Sequence, residues 1–332
     1  MSAGNPEAAA PRPLVVALCF ALLCLIWSST WIVIKGGLDD LPPFTAAAAR
    51  FLIAWLVFRL VAARLAEREG GVAPGRRLVL AMGLLNFGAS YAIVYWSETL
   101  LPSGLVSLLW ATFPMMMALS GHLFIPGERL RGMQWLGFGV GFAGVAVLFA
   151  TDLGALREGA AGAALVLLCS PLVSTVGTTL VKLEGARVSS LQLNRDGMLL
   201  GAIVLGLLAL LFERDAAIHV TPAAAVGILY LALVGTVVAF GLYFWLMRFA
   251  AASKLSLIAY ITPPLALGLG ALDGEPLGRG TLMGAVLILV GVLLATRRRR
   301  AGGEPGDSEP GDSEPAAGEP AASEHAAGKP RG

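Results

Sequence analysis

The sequence predicts an all-α membrane protein whose ten transmembrane helices form two inverted five-helix repeats. Three observations carry that expectation. Hydrophobic residues make up 57% of the 332 residues and charged ones only 14%, whereas soluble domains carry about a quarter charged residues. The apolar residues gather into ten runs near the length of roughly 20 residues that a helix needs to cross a bilayer. One pattern also appears twice at a fixed offset: Gly127, Glu128, Leu130, Gly137 and Gly144 recur 147 positions later as Gly274, Glu275, Leu277, Gly284 and Gly291, and Lys35 recurs as Lys182. A repeat this long in a membrane chain marks a duplicated transporter half. Five spans per copy is an odd number, so the second copy enters the membrane upside down.

Taken in order, residues 1–13 are Pro- and Ala-rich and are expected to be a disordered N-terminal segment. The first repeat occupies 14–150, with spans at 14–34, 44–66, 77–97, 103–124 and 131–150. The second occupies 160–296, with spans at 160–181, 190–212, 223–246, 255–272 and 280–296. Helix is required because hydrocarbon offers backbone groups no partners, and no run shows the alternation of a barrel strand. Short connections at 125–130 and 273–279 make helical hairpins. Residues 297–332 open with a basic anchor, Arg297 to Arg300, and continue as a Gly-, Pro-, Glu-, Ser- and Ala-rich tail with little to bury, expected to be disordered and cytoplasmic. No cleavable signal peptide is evident, and the first apolar run is long enough to stay as an anchor.

Charge placement sets the orientation. With both ends inside, sixteen Lys and Arg residues fall on the inner side, among them Arg59, Arg76, Arg77, Arg129, Arg131, Lys182 and Arg297 to Arg300; only Lys35, Arg157, Arg214 and Arg279 fall outside. The positive-inside rule therefore predicts a multi-pass membrane protein with both termini cytoplasmic. Cys19, Cys24 and Cys169 lie inside apolar runs and read as packing residues, and His122, His219 and His325 make no metal-binding spacing. No metal, cofactor or nucleic-acid partner is expected; the expected partners are a small-molecule substrate and membrane lipid.

Several motifs resemble the EamA branch of the drug/metabolite transporter superfamily, built from two EamA repeats. They are Trp27-Ser-Ser-Thr-Trp31 followed by Lys35, then Arg50-Phe51, then Pro114, Gly-Glu-Arg-Leu, Gly137 and Gly144-Val145 in that order, with the second copy of that order. The resemblance covers roughly residues 14–296. It implies a ten-helix inner-membrane carrier that moves amino acids, other metabolites or drugs outward. Two departures predict an asymmetric cavity. Pro264 to Glu275 is three residues shorter than Pro114 to Glu128, and Ser174-Thr175 stands where Trp27-Ser28 would fall.

The candidate site residues follow from what hydrocarbon tolerates. Pro114, Pro263 and Pro264 each remove a backbone hydrogen bond in mid-span, freeing carbonyls for water or substrate or else kinking the helix against a neighbour. Trp110 and Tyr260 stand one turn before Pro114 and Pro264 on the same face. Trp27, Asn86, Tyr91, Tyr95, Ser174 and Tyr243 add polar and aromatic groups deep in the spans, where such groups pair or face water. Together these predict substrate binding near the midplane, lined by the first, third, fourth, sixth, eighth and ninth spans. The glycines at 137, 139, 141, 144, 284 and 291 read first as close packing of helices within the chain, with a homodimer face left open. Arg50 is an intramembrane cation near the outer end, Glu98 ends the third span, and Arg195 and Asp196 can pair with each other or with headgroups. Glu128 and Glu275 read most simply as caps of the helices that follow them.

Three functions compete on these residues. A carrier working by alternating access fits the duplication and the broken spans. A membrane enzyme needs a nucleophile, base or metal cluster that the sequence does not offer, and a structural or channel-like protein leaves the duplication unexplained. The expected activity is secondary transport of small amphipathic metabolites such as amino acids, with drug or toxic-compound efflux as the alternative.

Overall fold

The computed structural model describes residues 12–69, 71–126, 128–151, 158–249, 255 and 257–296. Residues 1–11 of the expected N-terminal segment 1–13, and the whole of 297–332, lie outside the described residues, while Pro13 already opens the first helix. Ten helices make up the rest. They are α1 (Pro13–Gly37), α2 (Pro43–Glu69), α3 (Arg76–Glu98), α4 (Ser103–Phe124), α5 (Gly132–Thr151), α6 (Ala160–Glu184), α7 (Ser190–Phe212), α8 (222–249), α9 (Ile258–Leu272) and α10 (Arg279–Thr296). Among the described residues nine helices are long and apolar enough to span a membrane, and α9 is a shorter apolar helix. α1, α2 and α8 open on prolines, which fit the first turn of a helix because their missing N–H would have had no partner there.

Three helices depart from regular α geometry. α4 is broken in two: Ser103–Trp110 ends, a short turn follows, and Phe113–Phe124 restarts with Pro114 in its first turn. α3 and α8 each contain a nine-residue π segment, Ala81–Ala89 and Tyr230–Val238. The two π segments occupy corresponding places in the two repeats, and such widened turns recur at functional sites. Pro263 and Pro264, expected to break the ninth span, lie inside a continuous α9.

Packing pairs each repeat with the other. α5 lies along α10, α2 along α7, and the first half of α4 against α9. The glycines make the α5–α10 contact a backbone contact: a Cβ on Gly144 would sit 2.7 Å from the Ile288 nitrogen, and Gly137 and Gly141 face Gly291 in the same way. The stripe is thus taken up within the chain, while Gly139 meets nothing within 4 Å. Large apolar side chains such as Leu14, Leu18, Leu22 and Leu25 on α1 stand exposed at helical spacing, as a lipid-facing surface requires.

At the end of the bundle where Glu128 lies, the α2–α3 and α6–α7 connections are joined. The Val72 N–H donates to the Arg187 carbonyl at 2.8 Å, and the Ser189 N–H donates to the Val72 carbonyl at 3.0 Å. Gly71 makes this possible with φ of 95°, in the left-handed region.

Candidate substrate cavity

A cavity of about 640 Å³ lies between the repeats. α1 contributes Trp27, Trp31 and Ile34, α2 Arg50, α3 Ser90, Tyr91 and Val94, α4 Trp110, Phe113 and Pro114, α8 Gly235, Phe240 and Tyr243, and α9 Thr262 and Pro263. Its walls are mutually packed rings. Trp27 meets Tyr243 at 5.6 Å and Phe240 at 6.1 Å between centroids, Trp110 stacks on Phe113 at 5.0 Å, and Trp31 meets Trp110 at 6.2 Å. Such contacts stiffen an apolar wall.

The polar groups of the cavity are few, and most are held by hydrogen bonds. Ser170 on α6 accepts from the Trp110 indole N–H at 3.2 Å and shares a 2.8 Å hydroxyl contact with Ser90, which also accepts from Ser174 at 3.0 Å. Arg50 is 3% exposed. Its Nε donates to Thr236 Oγ1 at 3.1 Å, and its guanidinium lies 5.3 Å from the Tyr91 ring centre and 5.5 Å from that of Phe51. The π segment of α8 places that acceptor: the Thr236 hydroxyl donates five residues back, to the Leu231 carbonyl, at 2.8 Å. Among the described residues no carboxylate lies within ion-pair distance of Arg50. The Trp31 indole N–H and the Thr262 hydroxyl, both in the lining, have no partner among the described residues.

Of the residues expected from sequence, the structure brings Trp27, Tyr91, Trp110, Pro114, Tyr243 and Pro263 to the lining. It places five elsewhere. Asn86 ties α3 to α6, donating to Thr178 Oγ1 at 2.9 Å and the Ser174 carbonyl at 3.3 Å. Ser174 sits behind Ser90 in the hydroxyl cluster, so α6 supports the cavity without lining it. Tyr95 is 1% exposed and lies beside Arg50. Tyr260 turns to α10, where its hydroxyl donates to the Val292 carbonyl at 3.3 Å and meets Thr296; Pro264 is also outside the lining. The sequence reading treated Arg50 as peripheral and left out Trp31, although Trp31 stands one turn from Trp27 on the same face.

The two Gly-Glu turns close opposite ends of the bundle differently. Glu275 accepts from the N–H groups of Ser103 at 2.6 Å and Gly104 at 3.1 Å, capping α4 of the other repeat rather than the helix that follows it. Beside it, the Lys35 ammonium donates to the carbonyls of Glu98 and of Leu101, the latter at 3.0 Å. Glu128 instead accepts from Lys182 at 2.8 and 2.9 Å, in a pair 36–43% exposed. Of the two pairings open to Arg195 and Asp196, the structure has the one with each other, at 2.7 Å.

The model of the EamA-like transporter family matches residues 14–150 and again 161–297. The chain belongs to that family. It is therefore a transporter rather than an enzyme. An uncharacterized inner membrane transporter, YedA of Escherichia coli strain K12, is 30% identical over 291 residues, covering 86% of this chain and 90% of the relative. A probable terminal-alkyne amino-acid exporter of Streptantibioticus cattleyicolor is 27% identical, covering 86% and 96%. A probable amino-acid metabolite efflux pump of Salmonella typhimurium is 27% identical, covering 82% and 92%. A protein crystal structure shares the fold with a TM-score of 0.60 at 21% identity, covering 86% of this chain and 98% of the other. These likenesses support a multi-pass inner-membrane protein. The second copy of the family pattern, not composition alone, separates this reading from a generic membrane protein.

Proposed function

We propose that this transporter exports small amphipathic metabolites bearing a carboxylate, apolar and aromatic amino acids foremost, by alternating access between its two inverted repeats. The observation that carries the reading is the pairing of aromatic walls with a buried guanidinium, Arg50, that has no acid within ion-pair distance among the described residues. A buried cation without a counter-ion is expensive to maintain, and a substrate carboxylate would supply the missing charge in bidentate geometry. The unpartnered Trp31 N–H and Thr262 hydroxyl offer further hydrogen bonds, and the rings suit an apolar side chain. A single cation suits one carboxylate and serves a phosphorylated solute poorly. The names of two relatives, an amino-acid exporter and an amino-acid metabolite efflux pump, support the outward direction. The lysine and arginine bias supports both termini in the cytoplasm, which puts the Glu128 end inside.

Proteoliposomes loaded with a panel of labelled amino acids and their decarboxylated amines test the reading. Flux of an apolar amino acid above that of empty liposomes is expected. Arg50→Gln should cut it by at least about tenfold, since truncating one partner of a buried charge pair costs upward of about 2 kcal/mol, and should leave flux of the matching amine little changed. Trp110→Ala should reduce flux strongly at unchanged folded yield. Unaltered kinetics in both variants would place the substrate elsewhere.

A further inference from the structure

Glu98 closes α3 at the Glu275 end of the bundle and is 0% exposed. Among the described residues neither of its carboxylate oxygens has a hydrogen-bond partner. The groups that face it are otherwise engaged. On α1, the Lys35 ammonium is turned to the backbone carbonyls of Glu98 and Leu101 and not to the carboxylate. Glu275, in the turn before α10, is held by two backbone N–H groups of α4. Arg50 on α2 lies within electrostatic reach but bonds Thr236, with Tyr95 of α3 beside it. α6 meets this end through the Ala163 carbonyl, which accepts from Ser97 at 3.4 Å, and residues 160–168 carry no titratable side chain. The Ser103 hydroxyl at the start of α4 is also buried without a partner among the described residues.

We infer that Glu98 is a proton-binding site whose occupancy is linked to closure of the Glu275 end. An ionised carboxylate shut away from water with no donor is costly, and the group avoids the cost by taking up a proton. Lys35 and Glu275 offset each other in charge, which leaves Arg50 as the remaining cation. A substrate carboxylate seated on Arg50 would use that charge, so Glu98 would then have to be neutral for this end to close. The step is a simple protonation: the carboxylate takes one proton from the aqueous side as the end closes and returns it when the end opens. The device belongs to one end only. At the 147-residue offset, the second repeat has Trp245 where the first has Glu98. The burial and unpartnered oxygens of Glu98 rest only on the chain being a transporter, the carboxylate substrate proposed above enters the loaded state alone, and the test reads the substrate-free protein, so its failure is distinguishable from failure of that reading.

The closed state binds one proton more than the open one, so acid favours closure and alkali favours opening. Val94 stands one turn before Glu98 and lines the cavity. With Cys19, Cys24 and Cys169 replaced by Ala, a single cysteine at position 94 (Val94→Cys) is labelled by a membrane-impermeant methanethiosulfonate in sealed vesicles. The vesicle orientation is the one that labels an exposed reference, Asp215→Cys, on the same end. Labelling rates are expressed relative to that reference, which cancels thiol ionisation. The relative rate is expected to rise at least about fivefold from pH 6 to pH 8, within the limit of about tenfold per pH unit for one linked proton. Added Glu98→Gln should give a low, pH-independent rate, Glu98→Asp should keep a pH dependence, and Glu275→Gln should keep it as well. A flat profile in the Glu98-containing chain overturns the inference. So does an unchanged profile in Glu98→Gln, or a profile abolished by Glu275→Gln but not by Glu98→Gln. Should Glu98→Gln fail to fold, a flat profile in Glu98→Asp decides against the proposal and a retained one supports it.

Discussion

Glu128 and Glu275 occupy the same place in the two repeats yet do different work. Glu275 reaches across to the first repeat and satisfies two N–H groups at the start of α4. Glu213, after α7, does the same for α2, accepting from the Phe44 N–H at 2.7 Å and from the Thr45 N–H and hydroxyl, each at 2.8 Å. At the opposite end Glu128 forms a half-exposed pair with Lys182, and a short backbone bridge joins the loops. The connection from Pro264 to Glu275 is three residues shorter than that from Pro114 to Glu128, and position 66, which corresponds to Glu213, is alanine. Duplication preserved the turn but not its partners. One end is held by two carboxylates on helix starts, Glu213 buried and Glu275 partly so, the other by a surface ion pair and two loop hydrogen bonds.

That contrast sets an order of expected losses, read as the midpoint of heat-induced aggregation in detergent. Glu213→Ala should be the most damaging, by about 3 kcal/mol, because it strands donors at a helix start facing a charged acceptor. Glu275→Ala should follow at about 2 kcal/mol, with two N–H groups left behind. Gly71→Ala should cost about 1–2 kcal/mol: its φ of 95° strains any side chain, and a Cβ would lie 2.9 Å from the Ser189 nitrogen. Glu128→Ala should cost less than about 1 kcal/mol, as exposed pairs do. If Glu128→Ala destabilises as much as Glu275→Ala, the two ends are energetically alike and the contrast is only geometric.

The ten spans were legible because hydropathy and length act directly on each run, and nine of the ten helices, α8 among them at Pro222, begin within a residue of the expected position. α9 starts at Ile258, with residue 255 also helical. The cavity was legible where aromatic residues lie mid-span, as at Trp27, Trp110 and Tyr243. It was not legible where a partner in another helix decides the outcome. Nothing local says that Asn86 bonds α6 or that Tyr260 turns to α10. The expectation that Glu275 caps the following helix failed for the same reason, since its partners are 171 and 172 positions away. Arg50 reads from sequence as an intramembrane cation near the outer end, but its partner Thr236, in the π segment of α8, is supplied by another helix and so is not legible there.

The distant caps also bear on how the chain is made. Synthesis proceeds at roughly 5–20 residues per second, so α4 would wait on the order of ten seconds after its own insertion for the carboxylate 172 residues downstream. α2 waits similarly for Glu213, 169 residues after Phe44. Through that interval the first repeat carries two open helix starts on the same side of the membrane. Expressed alone, it should therefore be a ready substrate for membrane quality-control proteases, and supplying the second repeat as a separate chain should lengthen its lifetime in a pulse–chase experiment.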